Sequence, residues 1–393
     1  MKIPRVSKTQ ANMYIEDCAV RWEFRYGLGI KTKPAGAMKL GGSVHKTAEH
    51  NFKQKAASHT DVPLDEQTDF FSQNLKTELA REEVDYEEGE TPGTLQDVGV
   101  RLVKAHHTVI APVVTPESAD TVEQDIFQMV MIEKLKDGEF RRLHTTLPGF
   151  PGGTYFQKMD ASKAQAEAEV EKILAEGREL TLAYQLDSVI DLTDDKGIVR
   201  ELKTSGKKPV EGYADDLLDL THYDLAHRWL TNKAPTGLAV DVLVKTQQAQ
   251  ALTLPTRRSK AQLEAHLDRI GMMVKAIENE IFIPRTNWYG CSQRFCGYWD
   301  RCPYGGKGRI IVGPGGGEQL AAQLKESVER VEERKAEANK EGSEEAGKAN
   351  GTAGSGPGPS GGGGDTLFGS EQPQRRGALR IAKGLGGKAR KNS

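Results

Sequence analysis

The segment Leu182–Lys207, LAYQLDSVIDLTDDKGIVRELKTSGK, leaves this chain few structural choices. Tyr184–Leu192 alternates and is rich in β-branched residues. Asp194-Asp195-Lys196-Gly197 is turn chemistry, and Ile198–Thr204 reads as a second strand, so a hairpin is expected. Each strand carries an acid where an apolar residue would be the easy choice: Asp187 on the first, Glu201 on the second. Residues i and i+2 of a strand share a face, so Glu201 and Lys203 project together while Leu202 points to the opposite layer. Pairing across the hairpin is expected to bring Asp187 close to that face. Two carboxylates and an amine would make an oxygen-rich site for Mg²⁺ or Mn²⁺, with a lysine placed to orient or deprotonate water. The same residues also fit a solvated strand face with cross-strand ion pairs.

With 393 residues there is room for one large domain or two ordinary ones. The chain is 37% hydrophobic and 28% charged. No apolar run approaches the roughly 18–20 residues a membrane span requires, and the N-terminal residues lack a signal-peptide core, so a cytoplasmic location is expected, without a membrane partner. A net charge of −2 gives no bulk electrostatic case for nucleic acid; any such case must come from local patches.

Residues 5–26 are expected to be helical, capped by Ser7 or Thr9, with Cys18 inside and arginines interleaved with aromatics. That mixture suits a DNA-facing helix, and equally a half-buried helix with snorkelling arginines. Gly41-Gly42 are expected to break the chain, with Ser43 capping a helix that places His45 and Glu49 on one face. Residues 60–110 read as mostly helical, Thr121–Val130 as a strand or a helix start containing Glu123, and Leu147–Gly153 as a loop. Ala161–Leu180 reads as a helix, as do Asp215–Leu230 and Ser259–Glu280, with Leu238–Thr246 a strand between them. The order suggests an α/β core with a mixed sheet.

Cys291, Cys296 and Cys302 cluster within Ile281–Gly305, and the only other cysteine is Cys18. Without a secretion signal, four cysteines point to metal binding more than to disulfides. A thiolate site taking all four would clip the two ends of the folded chain together; zinc and an iron–sulfur cluster share that ligand type. Three buried thiols in an aromatic mini-core is the other reading. Beyond Gly305 come a charged helix candidate (317–346), a Gly-rich linker (350–364) and a basic terminus, read as a disordered tail with sequence-independent affinity for nucleic acid. Within it DTLFG (365–369) faintly resembles a sliding-clamp-binding peptide.

In order, these features resemble the RecB-like branch of the PD-(D/E)XK nuclease superfamily, in particular phage and CRISPR-associated RecB-like exonucleases with an iron–sulfur cluster. VSKTQANMYIEDCAVRWEFRY looks like the family's opening helix and first cluster cysteine, with Ala19 where Pro is usual. LGGSVHKTAEH resembles the Gly-x-x-x-His-x-x-x-Glu segment. Asp187, Glu201 and Lys203 match the acid…Glu-x-Lys pattern, and Glu123 matches an upstream acid. DLTHYDL resembles the Gln-x-x-x-Tyr helix, keeping Tyr223 but placing Asp219 where Gln stands. The spacing Cys-x4-Cys-x5-Cys replaces the frequent Cys-x2-Cys-x5-Cys, and residues 128–180 exceed the usual connection.

The resemblance implies a restriction-endonuclease-like core over 1–305, a central mixed sheet flanked by helices with the ends joined by the four-cysteine site. A charged extension (306–349) and a disordered tail (350–393) would follow. It implies a Mg²⁺/Mn²⁺-dependent DNA exonuclease in phage-type recombination, repair or replication, or else a catalytically inactive DNA-binding or recombination-partner module. Asp187, Glu201, Lys203, His45 and Tyr223 would be catalytic, and His45, Asp187, Glu201 and Glu123 would be the metal ligands. Cys18, Cys291, Cys296 and Cys302 would hold a 4Fe–4S cluster, with Zn²⁺ the alternative. The expected partners are DNA, single-stranded or with free ends, and a recombinase or single-strand-binding protein; a phage-encoded chain would act in the bacterial host cytoplasm.

Overall fold

The computed structural model describes residues 3–148, 155–306, Lys325 and Glu329, by backbone alone at 144–148 and 155–159. The described residues up to Gly306 belong to one compact unit, Met1–Ile310. Of the loop expected at Leu147–Gly153, Leu147 and Pro148 belong to a strand instead; its remainder and, except for Lys325 and Glu329, the charged helix, linker, DTLFG and basic terminus lie outside the described residues.

Seven strands make a single mixed sheet: β1 (Arg5–Ser7), β2 (Val122–Lys134), β3 (Phe140–Pro148), β4 (Glu179–Thr193), β5 (Ile198–Ser205), β6 (Gly237–Val244) and β7 (Gln250–Thr256). Their order is β3-β2-β4-β5-β6-β7, with β1 beside β4. The β4–β5 turn forms as its residues dictate. Asp194 Oδ1 accepts from the N–H groups of Lys196 and Ile198 at 3.0 and 2.9 Å, and Gly197 takes φ +72°.

The hairpin is short. β4 and β5 pair only at Leu192↔Arg200 and Thr193↔Val199, then part. On one arm of this fork β1 lies parallel to β4, with Arg5 opposite Gln185 and Ser7 opposite Asp187. On the other, β6 runs parallel to β5 along its whole length. A fork that parts inside the sheet exposes side chains from both arms to both flanking layers.

Helices α3 (Gly36–Ser58), α4 (Leu64–Ala80) and α5 (Pro92–Ala105) share a core with Leu202 and Leu243 of the sheet. Their packing is tight: a Cβ on Gly99 would lie 1.8 Å from the Phe71 ring, so only glycine lets that ring seat fully buried. α8 (Leu218–Thr231) packs Tyr223 and Ala226 against Ile190 and Val240. α9 (Lys260–Glu278), capped by Ser259, joins Trp22 and Met13 over Leu182 and Tyr184. α6 (Tyr155–Ala175) packs Ala166 and Val170 against Phe127 and Met129. Among the described residues no helix is long and apolar enough to cross a membrane.

Two local expectations change. Residues 5–7 are a strand, and Ser7 caps the short helix α1 (Lys8–Ala11) by accepting from the N–H of Gln10 at 3.2 Å. Gly41-Gly42 do not break the chain but lie inside α3, with Ser43 buried. A Cβ at Gly41 would sit 3.2 Å from Thr204 Oγ1, so glycine lets α3 close on β5 and brings His45 to the fork.

Candidate active site

Six elements meet at the fork. α3 brings His45, β2 Glu123, β4 Asp191, β5 Glu201 and Lys203, α8 Asp219 and Tyr223, and α1 Lys8. His45 Nε2 lies 2.7 Å from Asp191 Oδ2 and its Nδ1 3.2 Å from Glu123 Oε1. One donor atom from each of these three residues falls within 4.8 Å of the others, a spacing that can hold one metal ion. Glu123 has φ +54°, a left-handed backbone that costs on the order of 1–3 kcal/mol outside glycine. It falls opposite Asp191, between the pairs Val122↔Leu192 and Gln124↔Ile190, and its side chain reaches His45.

The charges define two halves. Burial opposes a proton on His45, yet Asp191 and Glu123 outweigh it and hold the imidazole well above its usual range. A cation bound through His45 must displace that proton. Asp191 is itself held far below the carboxylate range: burial pushes it up, but His45, Lys8 and the Leu202 N–H at 3.0 Å prevail. In the second half Glu201 is 2% exposed. Burial, then Asp191, push its carboxyl up against the pull of Lys8 and Lys203. Lys203 bonds Glu201 Oε1 and lies 3.5 Å from Asp219 Oδ2. The Tyr223 hydroxyl, fully buried, donates to Asp191 Oδ1 at 2.5 Å and links the halves.

His45, Glu123, Glu201, Lys203 and Tyr223 thus come together where the sequence reading placed them, but Asp187 does not. With Leu192 opposite Arg200, the residue abreast of Glu201 is Asp191. Asp187 lies four residues back, roughly 13 Å along the strand, where Arg5 Nη2 holds its Oδ2 at 2.6 Å. Counting pairs outward from the Asp194–Gly197 turn would have found Asp191. Lys8 carries no such signal, because its partners lie 193 and 215 positions away.

Apart from these residues, Cys18, Cys291, Cys296 and Cys302 line one cavity with Trp288 and Tyr298. Cys18 sits at an extended break (φ −162°, ψ 124°) between helical stretches, and its sulfur accepts from the Arg285 N–H at 3.4 Å. Tyr14 donates to the Ile281 carbonyl at 2.6 Å, Tyr298 to that of Ile30 at 2.9 Å, and Phe24 stacks on Tyr298 at 5.2 Å. The two chain segments are therefore fastened together around the thiols. Burial pushes the Cys296 thiol up.

A profile of the family described as the PD-(D/E)XK nuclease superfamily matches residues 5–303. The chain belongs to that superfamily. As a PD-(D/E)XK nuclease it has the family's mixed sheet flanked by helices, and DNA is the substrate class the family implies. Such nucleases typically use Mg²⁺ or Mn²⁺, and the acidic cluster at the fork is a candidate site for the ion. The crystal structure of a "Putative exonuclease" from Eubacterium rectale is similar at a TM-score of 0.34 and 8% identity. The likeness covers 78% of this chain and 89% of that one, and is too slight to carry an argument. No curated protein matches the sequence.

Proposed function

We propose that this nuclease is a metal-dependent DNA exonuclease acting on single strands or free ends. The observation that carries the reading is the His45–Glu123–Asp191 donor set standing abreast of Glu201 and Lys203. Two carboxylates with one imidazole suit Mg²⁺ and, through the nitrogen, favour Mn²⁺. His45, Glu123 and Asp191 would hold the ion, with Glu201 beside them; when bound, it lowers the pKa of a water and polarises the scissile phosphate. Lys203 is a charge of fixed position, held by Glu201 and Asp219, that orients the attacking water and offsets the charge developing on the phosphate oxygens. Tyr223 keeps Asp191 turned towards His45. Asp187 and its Arg5 partner hold β1 to β4 and are left without a catalytic role.

The four cysteines, gathered around one cavity, would hold a 4Fe–4S cluster, with Zn²⁺ as the alternative occupant of the same thiolates. The cluster would be structural, locking 281–305 onto the N-terminal segment. A place in phage-type recombination, repair or replication rests on the sequence resemblance.

The test is digestion of end-labelled linear DNA with Mn²⁺ against EDTA. Metal-dependent shortening from the ends is expected. DNA binding without cleavage would favour an inactive DNA-binding module on the same fold, and internal cuts in a closed circle would overturn the exonuclease assignment.

A further inference from the structure

Lys8 is the one charge at the fork that comes from the far end of the chain. Its ammonium donates to Tyr223 Oη at 2.5 Å and to Glu201 Oε2 at 3.1 Å, and lies 3.3 Å from Asp219 Oδ1. It also sits 4.4 Å over the Tyr223 ring. Lys203 takes the opposite oxygens of the same two acids, Glu201 Oε1 and Asp219 Oδ2. Lysine and carboxylate therefore alternate around a closed square, and every oxygen of Glu201 and Asp219 already faces a protein cation.

The exposures fit this division. The Glu201 and Asp219 side chains are 2% and 5% exposed, whereas His45 and Glu123 are 30% and 26% exposed and open to an arriving ion. Four carboxylates, Glu123, Asp191, Glu201 and Asp219, face two ammonium groups. One divalent ion on the open half cancels the remaining charge with His45 neutral. A second would leave two excess positive charges in a desolvated centre while Lys8 stays, and only one if Lys8 were displaced, so Lys8 is the group that weakens a second ion most.

We propose that Lys8 is a positioning residue that serves as a built-in counter-ion, closing the Glu201–Asp219 pair so that the centre takes a single divalent ion. It stands where a second metal would otherwise be recruited, and it keeps Glu201 and Lys203 in register for the attacking water. The proposal rests on the metal-site reading above, but its test reads ion counts as well as cleavage.

Mn²⁺ is titrated into the full-length protein and free Mn²⁺ is followed by electron paramagnetic resonance, counting only the ions that Asp191→Asn abolishes. The wild type should bind one. Lys8→Met should bind a second, weaker ion, turn the Mn²⁺ dependence of cleavage from hyperbolic to sigmoidal, and lower kcat roughly 10–100-fold at low metal. Lys8→Arg should restore the single ion. Two ions in the wild type, or one in Lys8→Met with a native circular dichroism spectrum, would overturn the proposal. Should Lys8→Met fail to fold, Lys8→Gln, which removes the charge and keeps a polar side chain, should likewise bind the second ion, and a single ion in a folded Lys8→Gln overturns the proposal. A wild type that binds one Mn²⁺ yet never cleaves DNA defeats the nuclease reading alone; a wild type that binds none defeats both.

Discussion

The acid centre and the thiol cavity are both gatherings of candidate ligands, and they are built in opposite ways. At the fork the donors come from adjacent strands and a packed helix, so their spacing is set by the sheet, and their charges are balanced within the protein. At the thiols the ligands come from the helix break at Cys18 and the irregular turns of 281–305, held by aromatic stacking and a few side chain to backbone bonds. The first arrangement suits a labile ion in a rigid place; the second suits a permanent group that itself supplies the rigidity. In the proposed function the first would serve turnover and the second stability, and changes to each should separate along that line.

The largest expected effect lies at the fork. Lys203→Ala should lower cleavage about 10³-fold or more while leaving the fold and DNA binding in place. Near-normal turnover on linear DNA would break the acid centre's side of the comparison. Next, Asp191→Asn should weaken Mn²⁺ binding on the order of 100-fold. Asp187→Asn should leave Mn²⁺ affinity alone and cost about 2 kcal/mol of stability through the lost Arg5 pair. Isothermal titration of the two variants side by side reverses the assignment if Asp187 proves the stronger loss.

At the thiols, Cys296→Ser should bleach a brown, anaerobically purified protein near about 400 nm and lower Tm by roughly 5–10 °C, with Mn²⁺ affinity unchanged. A colourless wild type containing stoichiometric zinc would replace the cluster in that account.

A further effect, on stability alone, comes with acid. Burial holds His106 and His222 down to about 4 from 6.5. Above pH 6.5 neither group changes stability, since both states are neutral. Between 6.5 and 4 the unfolded chain takes up protons that the folded one refuses, so stability falls with pH. Each histidine contributes about 2 kcal/mol of loss at pH 5. Urea titrations at pH 7 and pH 5 measure it, and His106→Asn should roughly halve the difference, leaving the share of His222.

Much of the frame was legible in the residues because it rests on local rules. The Asp194–Gly197 turn, the Ser259 cap of α9, the β-branched content of β4 and the Val/Leu run of β6 each follow from chemistry within a few positions. β7 went unread although QALTLPT alternates, and β3 went unread as well, its last two residues taken for the start of a loop. The site was legible where spacing was the signal, as for Glu201 and Lys203. It failed where cross-strand register decided, and Asp191, abreast of Glu201, displaced Asp187. Long-range partners left no trace: nothing in Ser7-Lys8-Thr9 announces that the lysine will be buried between acids near residues 200 and 220.

The placement of β1 bears on how the protein is made. The first strand can join the sheet only when β4 exists, and Lys8 completes its bonds only once Tyr223, 215 positions later, has been synthesised. At about 5–20 residues per second the amino end waits roughly ten seconds or more for those partners. Until then a growing chain can present the His45 helix but no closed acid centre. A chain interrupted before α8 would carry His45, Glu123 and Asp191 without Asp219 or Tyr223. The acid cluster is thereby closed only once β5 and α8 have been made, with β6, β7 and α9 still to follow.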